Sequence, residues 1–206
     1  MSSEEGLKEI RNRKFFLVEG KDDVGFFIKL LNKIGITDFF VWGVEGKGNF
    51  NSDLPVIAKL PGFDNLTHLC IIRDKDNDDA FESVVNILRG KMRFTSLPAK
   101  NGEVSHGNPN IGIFISPGES IDGTCLEDLC LAIAKGHPAM KCVSDFAQCI
   151  SRLKSPPKNL SKTKTLSFLA AQPEIVNTIS LAAEKDYWDF ESPVLDELIK
   201  FLELFK

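Results

Sequence analysis

Acidic side chains follow three apolar segments of this chain, and their type and spacing suit the binding of a divalent cation. Glu19 follows the apolar run FFLV, and Asp23 comes four residues later. The run HLCIIRD ends at Asp74, which opens the segment DKDNDD and is followed by Asp76. Glu127 lies in LEDL, after the run IGIFISP. Carboxylates brought together repel one another unless a cation lies among them. Oxygen ligands without His or Cys are typical of Mg²⁺ or Mn²⁺ sites that meet phosphates.

Other interpretations of these acidic residues compete with a metal site. DKDNDD matches the start of an EF-hand loop, but Asp79 stands where that loop needs glycine and Val85 where it needs glutamate, so we reject a calcium loop. The aspartates could instead cap the next helix, and this alternative stays open for Asp78 and Asp79. Glu19 could likewise be a polar turn residue between a strand and a helix.

The composition is that of an ordinary globular protein of one domain with a modest appendage. The chain has 206 residues, of which 43% are hydrophobic and 26% charged. A net charge of −4 argues against non-specific coating of nucleic acid, although it allows a small acidic site that meets phosphates through metal ions. Without a signal core or a long apolar run, we expect a cytoplasmic protein with no membrane partner. The five cysteines lack a C-x-x-C pair, which favours reduced thiols over disulfides or zinc ligands.

The segments that carry the acidic residues alternate between strand and helix patterns. Strands are predicted at 15–18, 39–42, 68–74 and 111–117, and helices at 24–34, 50–60, 80–88 and from about 124, then at 140–153, 162–171 and 194–204. This alternation predicts a parallel sheet with helices on both faces, and residues 94–110 are predicted to form a hairpin or an irregular excursion. Because the carboxyl ends of parallel strands share one edge, the acidic residues should converge there. We expect an α/β domain over 1–135 and a helical extension over 136–206 packed on it.

Three motifs together resemble a Toprim domain, the fold shared by topoisomerases, primases and the overcoming-lysogenization-defect (OLD) nucleases. They are V-E-G-K-D-D after the first strand, D-K-D-N-D after the third, and Leu-Glu-Asp-Leu after the fourth. The resemblance is closest to the small stand-alone OLD-like proteins classed as DUF3226. It covers residues 14–127 and extends more weakly to 171. It implies a Rossmann-like parallel sheet of four strands flanked by helices.

The same resemblance implies metal-dependent phosphodiester chemistry on DNA or RNA, that of a nuclease with Mg²⁺ or Mn²⁺ as cofactor. By motif, Glu19 resembles the family's glutamate, and Asp74 and Asp76 resemble its D-x-D pair; all three would act in catalysis and hold metal. Asp23 matches the second acidic position of the OLD-like group. Glu127 resembles the later acidic ligand of the OLD-like group. Asp23 and Glu127 would therefore complete the metal sites.

Lysines are predicted to supply the positive charge that a phosphate needs. OLD-like proteins have a lysine near the position of SKTKTLSFLAA that is thought to balance charge on the scissile phosphate, and Lys164 is predicted to take this catalytic role. Lys162 is predicted to bind phosphate, although a solvated helix face is the alternative for both. Lys47, in GKGN, could reach a phosphate oxygen from a backbone cradle, or lie in a flexible turn.

A different class of function stays open on the sequence alone. The chain could be a non-catalytic module that binds metal or nucleotide and acts with a partner protein. The OLD nucleases usually carry an ATPase, and no Walker motif is present here, so an ATPase or effector would be encoded separately. DNA relaxation is not expected, because 206 residues leave no room for strand-passage domains.

Overall fold

The structure, a computed structural model, describes residues 7–44, 46–76 and 79–206, apart from the side chain of Lys47. Its centre is a five-stranded sheet in the order β2-β1-β3-β5-β4. The strands are β1 (Lys14–Val18), β2 (Phe39–Gly43), β3 (His68–Asp74), β4 (Glu103–Ser105) and β5 (Asn110–Ser116). All neighbouring strands are parallel except β4, which runs antiparallel to β5. The predicted α/β class with a mostly parallel sheet is confirmed, while its Toprim identity stays a prediction.

The prediction of four strands is wrong, because β4 adds a fifth at one edge of the sheet. Its three residues, EVS, are half-buried and carry no apolar run that would indicate a strand. The strand forms because the chain turns back after Ser105, so that Val104 pairs with Gly112 of β5. Just before it, the Gly102 N–H donates to the Ile113 carbonyl over 2.9 Å. Part of the predicted excursion is therefore a hairpin with β5.

Helices lie on both faces of the sheet. They are α1 (Lys21–Lys33), α2 (Phe50–Ile57), α3 (Ala80–Gly90), α4 (Leu126–Ile133), α5 (Ala139–Ile150), α6 (Leu160–Ala170), α7 (Ile179–Glu184) and α8 (Asp196–Glu203). Short 3₁₀ helices cover 47–49, 63–65, 134–136 and 193–195. The sequence pattern did not predict α7, whose six residues are too few to show a helical period. None of the described helices combines the length and apolar character needed to cross a membrane.

Alternate residues of β1 enter two separate cores, one on each face of the sheet. Phe16 and Val18 pack into the core formed with α1 and α4 to α8, whereas Phe15 and Leu17 pack into the core formed with α2 and α3. Both pairs are fully buried. A strand covered on both faces has no solvent-exposed side, which explains why its sequence is a continuous apolar run.

Residues 136–206 complete the first of these cores. The Phe201 ring lies 5.3 Å from the Phe114 ring of β5, and the Phe205 ring lies 5.3 Å from the Phe16 ring of β1, centroid to centroid. Gly112 of β5 makes room for this contact, because a Cβ there would come within 2.4 Å of the Phe205 ring. The C-terminal helices therefore share a core with the sheet, and the expected domain division at 135/136 stays a prediction.

Candidate functional site

The site begins where the chain leaves β1 and β3. These strands are neighbours, with Val18 level with Ile72, so Glu19 and Asp74 emerge side by side. The Asp74 N–H donates to Glu19 Oε2 over 3.3 Å. The chain goes from β1 to β2 on one side and then crosses to β3 on the other. Open α/β sheets bind their ligands in the crevice at such a reversal of strand order.

The turn after β1 brings in a third carboxyl group. Asp23 lies in the first turn of α1, and its Oδ2 accepts a hydrogen bond from the Gly20 N–H over 3.0 Å. The end of β2 holds this turn from the other side. A Cβ at Gly43 would lie 2.7 Å from the Gly20 carbonyl oxygen, so only glycine allows the two segments to approach so closely. The Gly46 N–H also donates to the Glu19 carbonyl over 2.8 Å.

The segment between β5 and α4 forms a third side of the site, next to the ends of β1 and β3. Asp74 Oδ1 accepts a hydrogen bond of 3.1 Å from the N–H of Leu126, the first residue of α4. A carboxylate is favoured at this helix end by the helix dipole. Glu127 is the next residue of α4 and is half-buried. Backbone hydrogen bonds join the two loops, from the Lys75 N–H to the Ser116 carbonyl and from the Asp76 N–H to the Thr124 carbonyl, over 2.9 and 3.0 Å.

Burial and mutual repulsion raise the pKa values of two of these carboxyl groups. Burial is the largest cause of the rise in the pKa of Asp74 to about 9, and the charges of Asp23, Glu19 and Glu127 add to it. Burial likewise raises the pKa of Asp23 to about 7; the Gly20 hydrogen bond lowers it, and the charges of Glu127 and Glu19 raise it further. Within the described part of the chain, the charges that contribute most to these shifts are all carboxylates. The acidic residues expected at this edge therefore interact electrostatically with one another.

The remaining aspartates of the segment DKDNDD differ in position and role. Asp76 lies next to the cluster, with a backbone φ of 49°, a left-handed conformation that aspartate tolerates. Asp79 caps α3, where its Oδ1 accepts from the Glu82 N–H over 3.3 Å, so the capping alternative is confirmed for this residue. Asp78 lies outside the described residues.

The three lysines predicted to meet a phosphate lie in different surroundings. Lys162 is exposed at the start of α6. Lys164 is half-buried and lines a shallow cavity of about 350 Å³ between α5 and α6, together with Asp145 and Leu160. Lys47 lies in the 3₁₀ helix after β2, and its side chain lies outside the described part of the structure. Neither α6 lysine is among the main influences on the pKa values of Asp23 and Asp74.

The donor atoms of the cluster suit a hard cation, but their arrangement is not that of a formed metal centre. Carboxylate oxygens are the ligands that Mg²⁺ and Mn²⁺ prefer. Over residues 7–44, 46–76 and 79–206, however, no three or more His, Cys, Asp or Glu side chains are placed so that they could hold a metal ion. The carboxyl groups are near enough to shift one another's pKa without forming such a group.

Asp128 belongs to the acidic motif LEDL, but the sequence did not predict the supporting role that its hydrogen bonds give it. Its Oδ2 accepts from the Thr124 N–H over 2.8 Å and from Cys125 Sγ over 3.2 Å, and its Oδ1 accepts from Ser161 Oγ of α6 over 2.5 Å. Burial raises the pKa of Asp128, but these hydrogen bonds outweigh it and leave the pKa below its ordinary value. Asp128 therefore fixes the start of α4 to α6 as an anion.

Glu197 supports the same region from the C-terminal helix. Its carboxylate accepts from the backbone N–H groups of Glu119 and Ser120 and from Ser120 Oγ, over 2.8 to 3.1 Å. These bonds lower the pKa of Glu197 despite the opposing effect of burial. The contact joins residues 77 positions apart, and no local motif in the sequence indicates it.

Comparison with family models matches residues 13–206 to a family described as "Protein of unknown function (DUF3226)". Searches of curated proteins and of solved structures returned no match. The matched range includes all the described strands and helices and the acidic residues of the site.

Proposed function

We propose that this chain, which belongs to the DUF3226 family, carries out divalent-metal-dependent phosphodiester chemistry on a nucleic acid, as a nuclease of the Toprim and OLD-like kind. One observation carries the proposal. Glu19, Asp23, Asp74 and Glu127 interact at the carboxyl edge of β1, β3 and β5, beside the reversal of strand order where α/β sheets bind ligands.

The electrostatics of this cluster support a cation as its ligand. A carboxyl group whose pKa is raised by burial and by like charges is costly to ionise, and a divalent cation offsets both effects. The raised pKa values of Asp74, at about 9, and Asp23, at about 7, reflect both effects, burial first and neighbouring carboxylates second. A bound Mg²⁺ or Mn²⁺ would supply Lewis acidity and lower the pKa of a water molecule.

In this proposal the position of each residue determines its role. Glu19, Asp74 and Asp76 lie at the ends of the central strands and hold the cation, and Asp23 and Glu127 complete its oxygen ligands. Because the carboxylates as placed do not form a metal-holding group, their side chains have to reorient when a cation binds. Lys162 or Lys164 would meet the nucleic-acid phosphate from α6.

Cleavage and metal binding by matched variants test the proposal. Asp74→Asn keeps the acceptor for the Leu126 N–H but removes the charge, whereas Asp64→Asn changes an exposed aspartate in the 3₁₀ helix 63–65, before β3. With Mn²⁺ and single- or double-stranded DNA and RNA, wild type and Asp64→Asn should cleave equally. Asp74→Asn should lose activity by about 100-fold or more, the scale on which disturbed metal sites lose function.

Thermal melts in EDTA and in millimolar Mn²⁺ give a readout that does not depend on activity. A cation that binds the folded state raises the melting temperature by mass action. Wild type and Asp64→Asn should show this rise, and Asp74→Asn and Glu19→Gln should lose it. Equal responses in all four proteins, together with no cleavage, would overturn the proposal.

A non-catalytic metal- or nucleotide-binding module is the second candidate, and a specific observation favours it. The described side chains form no ready metal centre of the kind that metal-dependent cleavage requires, whereas the charges of Asp23, Glu19 and Glu127 still act on Asp74. Such a module would act with a separately encoded ATPase or effector. A Mn²⁺-dependent rise in melting temperature that Asp74→Asn abolishes, without cleavage of any substrate, would identify this second function.

A further inference from the structure

One exposed side of α5 carries an apolar stripe. Cys142, Phe146 and Cys149 recur at spacings of four and three residues, so they lie in one row along α5, and Leu153 follows four residues later in the turn after the helix. Phe146 is 48% exposed and Leu153 56%, and both cysteines are exposed. The helical turn continues to Leu153, whose N–H donates to the Ile150 carbonyl over 3.2 Å.

This stripe is separate from the side of α5 that packs on the rest of the protein. Val143 and Ala147, which are buried, face the core. The groove toward α6 is lined by Ser144, Asp145, Gln148 and Ser151, so Asp145 borders both the groove and the stripe. No described element covers the row from Cys142 to Leu153, which keeps these side chains in contact with solvent.

Charged residues beside the stripe indicate what covers it. Asp145 lies on α5 and Arg152, seven residues later, in the turn that follows the helix, so both flank the row on the same side. Both are exposed, and within the described part of the chain neither side chain forms a salt bridge or a hydrogen bond.

We propose that α5 packs antiparallel against α5 of a second copy of this chain, about a two-fold axis. With Phe146 opposite Cys149 of the second copy, Cys142 lies opposite Leu153, and all four apolar residues are covered. Asp145 then lies beside Arg152 of the second copy, and the symmetry repeats this pair, as an isologous interface requires. A parallel alignment would instead place Asp145 level with Asp145 and Arg152 level with Arg152.

The mass in solution is the first test, and it is independent of any nuclease activity. Under reducing conditions at tens of micromolar, light scattering should give twice the 22.9 kDa mass of the chain. Phe146→Glu places a charge in the stripe and should give monomers. Val56→Glu is the matched control, because Val56 is 61% exposed on α2, and it should leave the dimer intact. A monomeric wild type, or a dimeric Phe146→Glu, overturns the proposal.

A charge exchange tests the antiparallel register. Asp145→Arg turns two attractive pairs into repulsive ones and should weaken dimerisation by about tenfold, as expected for exposed charges at the rim of an interface. Asp145→Arg combined with Arg152→Asp restores opposite charges and should return the dissociation constant to within about twofold of wild type. Failure of the double variant to recover would overturn the antiparallel α5 pair.

Cross-linking at the native cysteines tests the same register independently. The two-fold axis passes between residues 147 and 148, so the two copies of Cys149 are separated by about 4.5 Å along the helix axis, and the two copies of Cys142 by about 16 Å. A short bismaleimide should therefore cross-link Cys142→Ser into dimers but not Cys149→Ser. Cross-linking that survives in Cys149→Ser would overturn the register.

Discussion

At the scale of single residues, the carboxyl groups of Asp74 and Asp23 oppose folding when they are ionised. Burial and neighbouring charges raise their pKa values to about 9 and about 7, from an ordinary value of 3.8. At pH values between a carboxyl group's pKa in the unfolded chain and its pKa in the folded protein, the folded protein holds a proton that the unfolded chain has already lost. The free energy of unfolding therefore decreases as the pH rises through this window.

In the absence of metal, Asp74→Asn should remove the part of this pH dependence that comes from Asp74. Its stability relative to wild type should be smallest near pH 4, increase with pH, and level off above about 9, where the folded wild-type carboxyl group is ionised. Each unit of a pKa shift corresponds to about 1.4 kcal/mol, so the gain at pH 9 should exceed that value. Urea denaturation in EDTA at pH 5, 7 and 9 measures it.

Asp64→Asn is the control, because Asp64 is exposed and lies at the opposite, amino end of β3. Its stability difference from wild type should stay constant over the same pH range. A stability difference between Asp74→Asn and wild type that is also independent of pH would show that the pKa of this carboxyl group is not raised in the folded protein.

The sequence could predict part of the site at this scale. Glu19, Asp74 and Glu127 each follow a predicted strand, and parallel strands direct their carboxyl ends to one edge. Glu197 could not be predicted, because its contact with Ser120 depends on how α8 lies on the sheet. The exposure of Lys162 also depends on the packing of α6, which the residue types in SKTKT do not specify.

At the scale of elements, the contact between α1 and α7 depends on a glycine. A Cβ at Gly25 would lie 1.8 Å from Ser180 Oγ and 3.0 Å from Ser180 Cα, so the two helices touch at this point. Alanine is the better helix former by about 1 kcal/mol, yet here it would push α7 away from α1. Close packing outweighs helix propensity at this position.

Gly25→Ala should therefore destabilise the protein, by about 1–3 kcal/mol, the usual cost of overpacking. Gly90→Ala is the matched control, since a Cβ there meets nothing within 4 Å and should leave stability unchanged or slightly increased. Gly25→Ala combined with Ser180→Gly should recover part of the loss. Urea denaturation measures all three, and equal stability of Gly25→Ala and Gly90→Ala would contradict the tight contact.

The elements that the sequence pattern did not predict, β4 and α7, are those that depend on tertiary packing. The strand β4 and the helix α7 have three and six residues, too few for a periodic pattern. Long periodic segments such as α1 and β3 were predicted nearly to their ends. In α2, the helix ends at Ile57 rather than at residue 60.

At the scale of the whole molecule, the core on one face of the sheet is built from both ends of the chain. Phe16 and Val18 of β1 share it with Trp188, Phe201 and Phe205. Removing either contribution would expose the other, so the sheet and the C-terminal helices should unfold together. Because the two parts share a core, we expect one cooperative transition.

The two tryptophans report on the two parts of the chain. Trp42 lies in β2 and is half-buried, and Trp188 lies in the C-terminal segment and is 2% exposed. In Trp42→Phe and in Trp188→Phe, the fluorescence of the remaining tryptophan should follow the same urea transition as the far-UV circular dichroism of that variant. Separate midpoints for the two signals would indicate that residues 136–206 unfold as an independent domain.

The hydrogen bonds that join the loops beyond β3 and β5 have a consequence for recognition. Lys75 and Asp76 are tied through their backbone to Ser116 and Thr124, so the rim of the acidic crevice is ordered by folding itself. Ordering loose groups on binding costs conformational entropy, about 0.5–1.5 kcal/mol for each immobilised side chain. A ligand that binds at the carboxyl ends of β1 and β3 therefore meets, at residues 75, 76, 116 and 124, a backbone that is already preorganised.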